Sequence, residues 1–99
     1  MSDDLTEMVN LLENGESEKI TQAAKKLALI PKEVVELPKD QLKNVVKILL
    51  ESVDKPGVDD GELLHALFMI TNEMIIKFDI ILPEEQAISY EWFLSWFDQ

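Results

Sequence analysis

The hydrophobic residues of this chain recur every three or four positions, which is the spacing of amphipathic helices. Glycine, proline and acidic turn residues separate the apolar stretches. We predict helices over residues 3–14, 17–30, 39–54, 60–78 and 84–97. Between Pro31 and Pro38 there is room for only a single turn, which covers the core. The apolar link at residues 80–82 also suits a strand, but no partner strand is evident. The pattern therefore predicts an all-α fold, with residues 1–99 forming a single domain of four to five helices.

The segment over residues 60–78 is hydrophobic on nearly all sides. A helix of that kind is covered by neighbours on nearly all sides, so we expect it to be the central element of the fold. The predicted core takes residues from every helix: Leu12, Ile20, Ala24, Leu27, Val46, Leu49, Leu67, Ile70, Met74 and Leu94.

Two stretches of the chain, residues 11–30 and 49–70, share a pattern of apolar positions. Each begins with Leu-Leu-Glu, and the aliphatic residues at 23, 24, 27 and 30 recur forty positions later at 63, 64, 67 and 70. This pattern resembles a HEAT-type helical repeat. The resemblance implies paired antiparallel helices and a protein-binding scaffold. The second copy has a longer turn and leucines in place of the alanine pair, and a plain antiparallel bundle is the alternative.

The net charge of the chain limits the kinds of molecule that it can bind. The 99 residues include 9 lysines, no arginine, no cysteine and 20 acidic residues, for a net charge of −11. The net charge is −5 over residues 1–16, +2 over residues 17–55 and −8 over residues 56–99. Such acidity opposes direct contact with nucleic acid or anionic membranes. No apolar run approaches the ~18 residues of a membrane span and no leader-like segment opens the chain, so we expect a cytoplasmic protein.

The residues that carry catalysis or bind metal are sparse. His65 is the only histidine, and the nearby Asp59, Asp60 and Glu62 are accounted for by a helix start, where caps and the dipole favour acids. Glu73 is the one candidate for a buried acid–base carboxylate, and we interpret it as partly exposed or lysine-paired. No serine lies in a nucleophile motif and no glycine-rich phosphate loop is present. We predict no metal, no cofactor and no enzymatic activity.

The last predicted helix is rich in aromatic residues, since five of the seven in the chain lie within its last ten residues. They form two helical stripes, which suit either a wrapped core helix or a protein interface. We predict a contact surface there, with Trp92 and Trp96 as anchors. Its acidic rim consists of Glu84, Glu85, Glu91 and Asp98.

These features together favour a non-enzymatic, acidic protein-binding module. We predict an inhibitor of the antitoxin, immunity or phage-antagonist type that covers a basic surface of a protein partner. The alternative is a HEAT-like scaffold or adaptor subunit of a larger assembly. Salt-sensitive association would favour the inhibitor, and a salt-tolerant apolar interface would favour the scaffold.

Overall fold

A computed structural model describes the backbone over residues 3–81 and 90–98, and side chains over residues 5–81 and 94–98. These residues contain helices and no strand, so the all-α prediction is confirmed. The helices are α1 (Asp3–Asn14), α2 (Ser17–Leu27), α3 (Pro31–Val34), α4 (Lys39–Ser52), α5 (Asp60–Phe78) and α6 (Tyr90–Phe97). Residues 80 and 81 are not in a strand, and the first part of the predicted last helix, 84–89, lies outside the described residues.

Helix α2 ends three residues earlier than the hydrophobic pattern predicts. The amides of Leu29 and Ile30 donate to carbonyls three residues back, which tightens the chain into a turn. Ile30 then adopts φ −131°, because the following Pro31 disfavours a helical conformation at the residue before it. The short helix α3 follows, in the place where the sequence predicts a single turn.

The turn between α1 and α2 lies beside the loop between α4 and α5. The Ser17 hydroxyl donates to the Pro56 carbonyl over 2.7 Å. The Asp59 amide donates to the Thr21 hydroxyl over 3.2 Å, while the Asp59 carboxylate accepts from the Glu62 amide and caps α5. Contacts between residues far apart in sequence therefore hold the α4–α5 loop against the start of α2.

The long helices pair as two hairpins. Helix α1 packs against α2, and α4 packs against α5. The hairpins then stack, with α1 against α4 and α2 against both α4 and α5, while α3 contacts α5 and α6 contacts α4. One connected cluster of buried apolar residues lies between them.

Most of the predicted core is buried, with two exceptions. Leu67 and Leu94 are only half-buried, and the other eight predicted core residues are buried. The expectation that α5 is covered on nearly all sides is also wrong: Leu64 is 54%, Phe68 62% and Ile76 75% exposed. Helix α5 contacts α2, α3 and α4, and these neighbours cover only part of its circumference.

Candidate functional site

A long apolar groove lies between α4 and α5. Its volume is about 540 Å³, and apolar side chains from both helices form most of its walls. The lining residues are Val46, Leu50, Leu64, Leu67, Phe68, Thr71, Asn72 and Ile75. Leu64 and Phe68 are four residues apart on one face of α5, and both are more than half exposed. A large exposed aromatic residue beside other apolar side chains is typical of a protein contact surface.

Helix α6 packs near one end of these two helices. The Trp96 ring centroid lies 5.1 Å from that of Phe78 at the end of α5. Lys39 Nζ lies 4.7 Å from the centroid of the Trp96 ring, a cation–π arrangement. Lys43 Nζ lies 2.6 Å from Asp98 Oδ1. Two lysines on the first turns of α4 thus hold the end of α6.

These contacts bear on the partner surface predicted at the last helix. Trp96 is half-buried and Asp98 is exposed, and both interact within their own chain. Glu91 and Trp92 lie in α6, but their side chains are outside the described ones, as are residues 84 and 85 altogether. The structure therefore brings Trp96 and Asp98 together at one edge of α4, where they attach α6.

A second feature is a concentration of carboxylates at the other end of α4 and α5. The α1–α2 turn and the α4–α5 loop meet there, and Lys55 Nζ donates to the Gly15 carbonyl across them. We call this surface the acidic end. It comprises Glu13, Glu16, Glu18, Glu51, Asp54, Asp59, Asp60 and Glu62. Lys55 and Lys19 lie among these acids, and Lys19 Nζ lies 3.5 Å from a Glu16 carboxylate oxygen.

Sequence reasoning missed the acidic end because its members come from separate segments. Five of the eight lie within or beside the α4–α5 loop and are far along the chain from Glu13, Glu16 and Glu18. The signal was the unusual acid density of both turns, at residues 13–18 and 51–62. Only the bonds between the two turns bring the carboxylates to one surface.

The residues considered for metal binding and catalysis do not assemble into a site. Within the described part of the chain, no group of three or more histidine, aspartate or glutamate side chains is placed to hold a metal ion. His65 is exposed on α5. Glu73 is half-buried and lines a separate pocket of about 510 Å³ with Met69 and residues of the α2–α3 turn.

No helix among the described residues is both long enough and apolar enough to cross a membrane. When the chain is compared with known proteins, no family model, no curated protein and no solved structure matches it.

Proposed function

We propose that this protein is a non-enzymatic, acidic protein-binding module that covers a basic surface of a protein partner. Inhibitors of the antitoxin, immunity or phage-antagonist type act in this way. The observation that carries the proposal is the acidic end, where eight acidic residues lie in the α1–α2 turn, in the α4–α5 loop and at the helix ends beside them. The bonds from Ser17 to Pro56 and from Lys55 to Gly15 hold the turn and the loop together. Six of the eight carboxylate residues are exposed, and Asp60 and Glu62 are half-buried.

The physical basis is the field that such a surface creates. Carboxylates of one sign concentrated on one face attract a basic partner and raise the rate of encounter. Lys19 bonds Glu16 within this surface, and Lys55 bonds the Gly15 carbonyl. The eight carboxylates outnumber these lysines, so the surface is strongly negative, and its influence extends about 10 Å at 0.1 M salt.

A charge-matched pair of variants tests whether the location of the carboxylates matters. Glu16→Gln with Glu18→Gln removes two charges from the acidic end. Glu33→Gln with Glu36→Gln removes two charges near α3, at the far end of α2. Each pair contains one acid that is ion-paired to a lysine, since Glu16 bonds Lys19 and Glu36 bonds Lys77. The two variants thus have equal net charge and equal numbers of lost ion pairs.

The experiment is capture of a partner from the lysate of the native host, followed by measurement of its association rate at low and high salt. We expect binding that weakens steeply with salt and an association rate that falls several-fold in the acidic-end variant. The α3 variant should change the rate much less. Equal effects of the two variants, or binding that salt leaves unchanged, would contradict the proposal.

A HEAT-like scaffold is the second candidate function, and the stacking of the hairpins favours it. In such a repeat, equivalent helices of consecutive pairs lie side by side. Here α1 packs against α4 and α2 against α5. A salt-tolerant interface that depends on the apolar groove rather than on the acidic end would support this second function over the first.

A further inference from the structure

The turn between α1 and α2 places an asparagine directly before a glycine at a helix end. Asn14 is the last residue of α1, and its side chain is exposed. Gly15 follows with φ +83°, and there is open space where a Cβ atom would lie. Because glycine has no side chain, other groups can approach its backbone closely. The Gly15 nitrogen is therefore accessible to the side chain of the residue before it.

The Gly15 amide is also held more weakly than the amides within the helix. It donates to the Leu12 carbonyl, three residues back, over 3.2 Å. An amide in the interior of an α-helix instead bonds the carbonyl four residues back. Helix ends open at little cost in free energy, so this nitrogen is released more often than an amide in the middle of α1. Lys55 bonds the Gly15 carbonyl and leaves the nitrogen unaffected.

The other asparagines of the chain provide a contrast. Asn10, Asn44 and Asn72 are exposed as well, so exposure does not distinguish Asn14 from them. Each of the three lies within a helix and precedes a residue with a larger side chain, namely leucine, valine or glutamate. A reaction at the following backbone nitrogen would require regular helix to open at these positions. Only Asn14 combines an exposed amide, a following glycine and a helix end.

We propose that Asn14 and Gly15 form a site of spontaneous deamidation in the folded protein, with aspartate and isoaspartate as products. The Gly15 nitrogen loses its proton and attacks Cγ of Asn14, and the new N–C bond closes a succinimide ring. The Cγ–Nδ2 bond breaks, and the amide nitrogen leaves as ammonia. Water then opens the ring at either of its carbonyl carbons. One opening gives aspartate, and the other gives isoaspartate, in which the backbone runs through the side-chain carbons.

The reaction adds a carboxylate to the acidic end. Asn14 lies between Glu13 and Glu16 in the sequence, and both belong to that surface. The exchange of a neutral amide for a carboxylate makes the net charge of −11 more negative by one. Isoaspartate also lengthens the backbone by one carbon atom directly before Gly15, whose carbonyl bonds Lys55. The chemistry is a property of the chain itself and does not depend on the partner proposed for the acidic end.

The test is incubation of the intact, folded chain at neutral and mildly alkaline pH, followed by digestion and mass spectrometry with fragmentation, which locates a mass change at one residue. We expect Asn14 to gain the mass difference between OH and NH2 at least about tenfold faster than the other three asparagines. A tenfold ratio corresponds to only about 1.4 kcal/mol of barrier, which is a small cost for opening a helix interior. The rate should rise with pH, because the attacking nitrogen must lose its proton.

Two variants test the assignment to this pair of residues. Asn14→Gln should stop the reaction, because the longer glutamine side chain closes such a ring far more slowly. Gly15→Ala should slow the reaction at Asn14 several-fold, because a Cβ atom shields the attacking nitrogen. Circular dichroism checks that both variants are folded.

Asp60 and Gly61 serve as an internal control, since an aspartate before a glycine can form the same ring with loss of water. Asp60 Oδ1 accepts from the Asp54 amide over 3.0 Å, and both residues of the pair lie in α5. Enzymatic methylation of isoaspartate should therefore label position 14 and leave position 60 unlabelled.

An Asn14 that reacts in urea but stays intact in the folded chain would overturn the proposal, because the fold would then protect the site. Similar rates at all four asparagines would also overturn it, as would a folded Gly15→Ala variant that reacts as fast as the wild type.

Discussion

Lys43 Nζ lies 2.6 Å from Asp98 Oδ1, so a side chain on the second turn of α4 bonds the residue that directly follows α6. Four residues earlier on α4, Lys39 lies over the Trp96 ring. The segment that we predicted to contact a partner is thus attached to its own fold by an ion pair, a cation–π contact and the packing of the Trp96 ring, tilted by 49°, against Phe78.

Of these contacts, the ion pair should contribute least to stability. The Lys43 side chain is 33% exposed and that of Asp98 67%, so water and salt screen their attraction. We expect a double-mutant cycle with Lys43→Met and Asp98→Asn to give a coupling energy of about 0.2–1 kcal/mol, falling as salt increases. The coupling energy is obtained from the unfolding free energies of the wild type, the two single variants and the double variant in urea. A coupling above about 2 kcal/mol would mean that the pair is far better shielded than its exposure indicates.

Trp96→Ala should lower the free energy of unfolding by about 1–3 kcal/mol, because it removes the ring that packs on Phe78 and Phe97. The companion variant is Trp92→Ala, which we predict to weaken partner binding by roughly 2 kcal/mol while the fold stays intact. Chemical denaturation of both variants separates the two roles. If Trp92→Ala destabilises the chain as much as Trp96→Ala does, Trp92 is a core residue and not an anchor.

Two alanine substitutions on α5 should differ although both remove a large aliphatic side chain. Ile70 is fully buried, so Ile70→Ala should cost about 2–5 kcal/mol. Leu67 is half-buried in the groove wall, and Leu67→Ala should cost clearly less. Thermal or urea unfolding compares them directly. Equal losses would show that Leu67 is covered as fully as Ile70 in solution.

The two glycines with positive φ should respond differently to alanine. Gly15 has φ +83° and open space around the position of a Cβ atom, so Gly15→Ala should cost about 1–2 kcal/mol from backbone strain alone. At Gly57, with φ +86°, a Cβ would also lie 3.2 Å from the Cβ of Ser17. Gly57→Ala should therefore cost more, because the α4–α5 loop must move away from α2. Similar melting temperatures for the two variants would contradict this.

Asp59 should stabilise the start of α5 through its cap. Its carboxylate accepts from the Glu62 amide, so Asp59→Ala should cost about 1 kcal/mol. Asp59→Asn is the control, since asparagine caps about as well while removing the charge. The difference between the unfolding free energies of the two variants in urea gives the contribution of the capping hydrogen bond. The effect of the lost charge is common to both variants. A loss as large for asparagine as for alanine would assign the stabilisation to charge.

The sequence by itself determined where the helices lie. Each of the signals involved acts only on residues a few positions away: helical periodicity, the glycine at position 15, the proline at position 31 and the cap at Asp59. Their effects can therefore be predicted without a tertiary structure. Accordingly α1 spans the predicted residues 3–14 and α5 the predicted residues 60–78. Most predicted core residues are buried for the same reason, because an apolar stripe on an amphipathic helix faces its neighbours.

Only the tertiary structure decided which faces are covered and which charges meet. The hydrophobicity of α5 indicates many apolar contacts but not on which side its neighbours lie, and Phe68 remains exposed because α2, α3 and α4 pack elsewhere on the helix. The acidic end forms because the Ser17 hydroxyl bonds the Pro56 carbonyl, joining residues 39 positions apart. Such contacts depend on the packing of whole helices against one another, and that packing is a property of the assembled chain rather than of any local stretch of it.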